Sequence, residues 1–240
     1  RESLENYSKL YKHVTVRQFT GEGRMVISGS VMEAIWTDCC ANLNELTMNF
    51  YGMELDCYKV AGYFAVCNAT LEDSDLAVEL VTVIGQAIGL AMDKAILYGR
   101  NTAAAMKMPE GIVTRLVQTE QPGTYPAQAR PWVDLHSSNV KAIDAGTTGI
   151  SLFQGLLINC GAAKGRYSNG TKVHVMNETT YNFLKAQAMS INAAGAIVSG
   201  MEGSMPVIGG VVETLDFIPD YVIISGYFDN YLLGERAGKK

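Results

Sequence analysis

The stretch from Thr70 to Gly99, TLEDSDLAVELVTVIGQAIGLAMDKAILYG, constrains the fold more than any other. Apolar residues return at Leu76, Leu80, Val83, Ile84, Ala87, Ala91, Ala95 and Tyr98, the three-and-four spacing of one helix face. Thr70 with Asp73 three residues on resembles a capping box, and Asp73 and Asp75 place negative charge beside the exposed amides of a first turn. The spacing therefore predicts a helix from near Ser74 to Tyr98, about 36 Å long at about 1.5 Å per residue. It carries no charge between Glu79 and Asp93, which marks a buried strut whose apolar run of about 13 residues is too short to cross a bilayer. Gly85 and Gly89 each cost a helix about 1 kcal/mol against Ala, so their presence predicts another backbone lying tightly against that turn.

A chain of 240 residues, 48% hydrophobic and 18% charged, can bury a sizeable core as one or two domains. Its net charge of -5 argues against a protein whose main work is gripping nucleic-acid phosphates. Cys39, Cys40, Cys57, Cys67 and Cys160 are odd in number and lack CxxC spacing, so neither a disulfide framework nor a zinc site is indicated and the thiols read as reduced and intracellular. Opening on Arg1 rather than Met fits a removed propeptide or a fragment.

Residues 1–10 are polar without periodicity and read as an extended arm. Val14 and Val16 alternate with Thr15 and Arg17, and the turn from Thr20 to Gly23 leads into Met25-Val-Ile-Ser28, a hairpin signal. A second extended stretch runs from Leu46 to Val66, with Gly52 and Gly62 as bulges or bends. Two long strands around an irregular tip, with little chain nearby to cover them, would expose Trp36, Phe50 and Tyr51 and so imply a partner. Further on, Met108-Pro-Glu-Gly-Ile112 is a turn and residues 121–131 a loop. Thr147 or Thr148 caps a helix holding Ile150, Leu152, Phe153, Leu156, Leu157 and Cys160, and residues 165–170 make an exposed turn. Val173-His-Val-Met176 is a buried strand, followed by a helix capped by Asn177 that holds Tyr181, Leu184, Ala188 and Ile191. Val207–Val212 and Tyr221–Ser225 read as strands started by Pro206 and Pro219. The class is α+β with a hairpin arm.

Chemistry is sparse. His13, His136 and His174 are far apart and outside any metal-ligand spacing. Asp73 and Asp75 could act as paired carboxylates, and Cys39-Cys40 as reactive thiols, but capping and apolar filling explain them. The glycine-rich run from Gly195 to Gly210 lacks the Lys-Ser/Thr of a phosphate loop. No metal and no cofactor is indicated.

The segments Tyr58-Lys-Val-Ala-Gly62, NATLEDSD at residues 68–75, Asp93-Lys-Ala-Ile-Leu-Tyr-Gly99 and Met108-Pro-Glu-Gly-Ile112 resemble, in order, the tailed-phage major capsid proteins of the HK97-like fold. Val175-Met-Asn177, Gly209-Gly210 ahead of Ile218-Pro219, and Gly226-Tyr-Phe-Asp-Asn-Tyr231 with Glu235-Arg236-Ala-Gly238 continue the likeness over most of the chain. Members of this family usually run on for tens of residues past the last motif, whereas this sequence stops at Lys240, a missing end or a shortened subunit.

The resemblance implies an N-terminal arm at 1–10, an extended loop at about 11–62 reaching over a neighbouring subunit, and a peripheral domain with a spine helix at 63–111. It further implies an axial domain at about 112–216 and a return to the periphery at 217–240. The function implied is a non-enzymatic shell protein that self-assembles into pentamers and hexamers of an icosahedral head around phage double-stranded DNA. Its partners would be itself, a portal, a scaffold or protease, decoration proteins and DNA on the inner face, with no membrane. Such a protein belongs to the virion and is assembled in the host bacterial cytoplasm. Encapsulin-type compartments resemble the same fold, and an intracellular enzyme using Cys39/Cys40 or Asp73/Asp75 is the alternative from another class. Members that cross-link covalently use a lysine in the extended loop, and none lies between Arg24 and Tyr58. Acidic residues outnumber basic ones around the arm, so Asp38, Glu45 and Glu54, beside the apolar Trp36, Phe50 and Tyr51, would dock on Lys94, Arg100 or Lys107 of the next subunit.

Overall fold

The computed structural model describes residues 6–19, 23–28, 36, 39, 49–55, 58–62, 76–102, 106–123, 125–163, 168, 170–191 and 203–236. Helices and short sheets alternate along it. The helices are α1 (Leu76–Tyr98), α2 (Ile112–Val117), α3 (His136–Asn139), α4 (Gly149–Cys160) and α5 (Glu178–Ile191). The strands are β1 (Thr15–Phe19), β2 (Gly23–Ser28), β3 (Phe50–Leu55), β4 (Asn101–Thr102), β5 (Met106–Lys107), β6 (Val173–Met176), β7 (Val211–Thr214), β8 (Ile224–Gly226) and β9 (Leu232–Arg236).

The long helix is present, but of the face that apolar spacing picks out only Ala95 is buried among the described residues, with Leu80 and Tyr98 half-buried. Val83, Ile84, Ala87 and Ala91 are exposed, and burial concentrates on Gly89, Asp93, Ala95, Ile96 and Leu97 toward the C-terminal end. The reason is the neighbour: the N-terminal segment crosses this face, and a Cβ on Gly89 would lie 2.7 Å from the Tyr7 carbonyl. A small-residue stripe admits a backbone where larger apolar residues would hold it off. Asp93 completes the dock, accepting hydrogen bonds from Ser8 Oγ (2.6 Å) and the amides of Leu10 (3.0 Å) and Lys9 (3.2 Å). Residues 6–10 are thus a fixed, turned strap rather than an extended arm. From Glu79 to Ala87 the strut is accordingly exposed or half-buried, and the expected cap at Thr70, Asp73 and Asp75 lies outside the described residues. Glu79–Tyr98 also reaches the length and apolarity of a bilayer span, at 20 residues and mean hydropathy 1.6, which the shorter charge-free run did not anticipate. Its buried, hydrogen-bonded Asp93 and core residues Ile96 and Leu97 make its end a packed element of the fold.

Strand pairing departs from the expected hairpin. β1 pairs in parallel with β9, Thr15 opposite Leu232, and β2 pairs with β3 instead. The expected turn at Thr20–Gly23 lies mostly outside the described residues, and β1 takes its ladder from β9 rather than from β2. The β2–β3 register runs unbroken from Gly23 opposite Leu55 to Ser28 opposite Phe50, so Gly52 is no bulge. Its amide instead bonds the Gln128 carbonyl at 3.1 Å. The central sheet has order β7-β6-β8, with β6 fully buried as its apolar run predicts, parallel to β7 and antiparallel to β8. The two outer strands lie later than Pro206 and Pro219, both of which sit in turns. In the first turn Val207 adopts φ +68°, a costly conformation for a β-branched residue, and Gly210 at φ +95° would place a Cβ 2.8 Å from the Lys172 carbonyl.

Two apolar clusters meet at β6. One joins the strap (Leu10, Tyr11, Val14), the end of α1, Val173, Val175 and the C-terminal Phe228 and Leu233. The other packs α4 and α5 on Met176, Met205 and Val212. Asn177 caps α5 as expected, its Oδ1 accepting from the Thr180 amide at 2.7 Å, and its Nδ2 bonds Asp220. Thr148 makes no side-chain cap on α4; the first free amide, on Gly149, goes to Gln187 Oε1 at 3.0 Å.

Candidate assembly interface

Among the described residues no group of His, Cys, Asp or Glu could hold a metal ion. His174 is fully buried, with Nδ1 2.7 Å from Ser225 Oγ and Nε2 3.1 Å from the Gly209 carbonyl. Burial pushes its pKa down, so it ties β6 to β8 and to the turn after Val207 as a neutral core residue. His13 lies 2.9 Å from Glu213 Oε1, which also pairs with Lys12 at 2.7 Å. Cys160 is buried against Ser225 and Cys39 is exposed; Cys40, Asp73 and Asp75 lie outside the described residues. The contacts that His13, His174 and Cys160 make are structural ones within the fold.

What remains open is surface. On the β2–β3 ribbon, Val26 is 64% and Phe50 65% exposed, and Trp36, between the two strands, is 100% exposed. Tyr51 is half-buried, a partial departure from the expected exposure of all three aromatics. Glu54 lies opposite Arg24 near the base of the ribbon, while Asp38 and Glu45 lie outside the described residues. A two-stranded ribbon buries little of itself, which is why these side chains stay in water. Along α1, Val81, Val83, Ile84 and Leu90 are exposed as well.

The cationic candidates cluster by sequence at the end of α1. Lys94 is exposed on the helix with Nζ 5.6 Å from the Phe217 ring, and Arg100 is exposed just past Gly99. Lys107, in β5, pairs with Asn101. Sequence reasoning missed a further feature: Arg115 stacks on Trp132 at 5.3 Å and bonds the Val133 carbonyl at 3.0 Å, with Val117 and Val133 exposed beside it. Arg115 and Trp132 are 17 residues apart and flank the stretch 121–131 read as loop, so no local signal links them.

The model of the phage capsid family matches residues 1–240. Among solved structures, the chain is similar to the capsid of a native GTA particle computed with C5 symmetry (18% identity, TM-score 0.61, covering 98% of this chain and 77% of that one). It is similar to the capsid of the empty GTA particle at 20% identity and TM-score 0.64, covering 97% and 77%. A satellite phage P4 procapsid including size determination (Sid) protein matches at 12% and 0.57, covering 99% and 77%. No curated protein sequence matches. A mixed helix-and-strand fold shared with particle-forming capsids, and a family match from the first residue to the last, lead to one conclusion: this chain belongs to the phage capsid family and is a structural protein of that kind.

Proposed function

We propose that the chain is the repeating subunit of an icosahedral phage head of HK97-like architecture, forming pentamers and hexamers that enclose double-stranded DNA. In this reading residues 1–10 are the N-terminal arm, 11–62 the extended loop, 63–111 and 217–240 the peripheral domain and 112–216 the axial domain. The observation that carries it is the exposed apolar surface around the β2–β3 ribbon: Val26 and Phe50 on its strands, and Trp36 in the segment that joins them, are exposed with no apolar cover among the described residues. Burial of that surface comes from a neighbouring copy, with Trp36, Phe50 and Tyr51 as apolar anchors. Asp38, Glu45 and Glu54 then face Lys94, Arg100 and Lys107 at the far end of α1 of that neighbour. Each rim pair contributes about 0–1 kcal/mol, and repetition over many copies makes association salt-dependent. The reading entails no enzymatic activity, a place in the virion after assembly in the host cytoplasm, and portal, scaffold or protease and decoration proteins as further partners. The test removes residues 25–55 and closes the gap with a short turn. The shortened chain is expected to fold and stay soluble yet build no shells; shells from it overturn the assignment.

A further inference from the structure

We propose a site of covalent modification within each copy, at which Cys160 forms a mixed disulfide with a small disulfide that carries a carboxylate. It does not depend on how copies associate. A cavity of about 340 Å³ lies between the end of α4, the chain entering β6 and the turn after Val207. Cys160, Leu157, Lys172, Ile208 and Tyr227 contribute to its lining, and no carboxylate does. The volume is that of a small organic ligand. Lys172 supplies the one cation. Its Nζ donates to the Cys160 carbonyl at 2.8 Å and lies 5.5 Å from the centre of the Tyr227 ring, and among the described residues the ion pairs are made elsewhere, at Glu213. A half-buried ammonium with only a carbonyl and a ring beside it favours an anion in the cavity.

Cys160 is 7% exposed, so a reagent reaches it through the cavity. It also heads a chain of three hydrogen-bonding side chains. Its Sγ lies 3.4 Å from Ser225 Oγ, and that oxygen lies 2.7 Å from His174 Nδ1. The far end fixes the direction: Nε2 faces the Gly209 carbonyl at 3.1 Å, which only accepts, so Nε2 carries the hydrogen of the neutral ring and Nδ1 accepts. Ser225 therefore donates to Nδ1 and accepts from the Cys160 thiol. The thiol proton has a path to a base, and the sulfur becomes the thiolate that attacks. The dipole at the end of α4 opposes an anion there, and the Lys172 ammonium on the same carbonyl offsets it. In the step, the thiolate bonds one sulfur of the incoming disulfide as its S–S bond breaks. Cys160 is oxidised to the mixed disulfide and the departing half is reduced to a thiolate, which takes a proton from solvent. The proton that passed through Ser225 to His174 returns to solvent, and the carboxylate of the retained half lies beside Lys172.

The test treats the wild-type full chain with dithiodiglycolate, a disulfide with a carboxylate on each half, or with cystamine, which has an amine on each half. Adducts on each cysteine are read by mass spectrometry of peptides after an acid quench. Exposed Cys39 calibrates the intrinsic reactivity of the two probes. Relative to Cys39, Cys160 of the folded chain is expected to take dithiodiglycolate several-fold faster than cystamine. Lys172→Met is expected to remove that preference and Lys172→Arg to keep it. Ser225→Ala is expected to slow exchange at Cys160 several-fold with the preference intact and Cys39 unaffected. A Cys160 that reacts only in urea overturns the site. Equal relative rates for the two probes, a preference that survives Lys172→Met, or an unchanged Cys160 rate in Ser225→Ala overturns it as well.

Discussion

Ser8 donates its hydroxyl proton to Asp93 at 2.6 Å across 85 residues of chain, and both groups are buried. The amides of Lys9 and Leu10 share the same carboxylate, so one side chain of α1 fixes three donors of the strap. Replacing Asp93 with Ala leaves those donors without an acceptor in the core, at a cost of about 1–3 kcal/mol. The expected readouts are a lower urea midpoint and faster hydrogen exchange at the Leu10 amide than elsewhere. Unchanged exchange there contradicts the anchor.

Gly89 sits one turn before Asp93 on the same face. Gly89→Leu forces the Tyr7–Ser8 backbone away and is expected to cost about 1–3 kcal/mol by overpacking, seen as a drop in melting temperature. Gly62, where an added Cβ meets nothing within 4 Å, is the control. Equal effects at the two glycines would contradict the close approach.

The strap is also tied at its other end. Burial raises the Glu213 pKa, but hydrogen bonds and charge from His13 and Lys12 outweigh it and hold the carboxyl below its ordinary value. A depressed folded-state pKa contributes stability that is present above the unfolded value and lost as pH falls through the folded one. Stability is therefore expected to fall on acidification below the ordinary glutamate value of 4.5, and Glu213→Gln to flatten that part of the curve. An identical acid limb in the variant contradicts the pairing.

Much of this packing was legible and some was not, for physical reasons. Val173–Met176 and the Asn177 cap announce themselves because an apolar run and a capping side chain act locally. Gly85 and Gly89 signal close packing but not its direction, since hydrophobic spacing weights Val83 and Ile84 over glycine. The β1–β9 pairing joins Thr15 to Leu232, and no local pattern encodes a partner so far along the chain. At the candidate interface, Trp36 and Phe50 were readable as apolar residues without cover. Arg115 and Trp132 were not, because their relation depends on how a loop folds back on α2.

Association is expected to be non-covalent. With no lysine between Arg24 and Tyr58, assembled material should run as single chains on denaturing gels with or without reductant, and raising salt should slow assembly. A ladder surviving reductant and boiling contradicts this.

The most direct measurement is sedimentation velocity of the expressed full chain, followed by negative-stain microscopy of the fastest fraction. Large closed particles or their five- and six-membered rings are predicted. A chain that sediments only as a monomer or a small fixed oligomer under every salt and pH condition tested contradicts a shell protein.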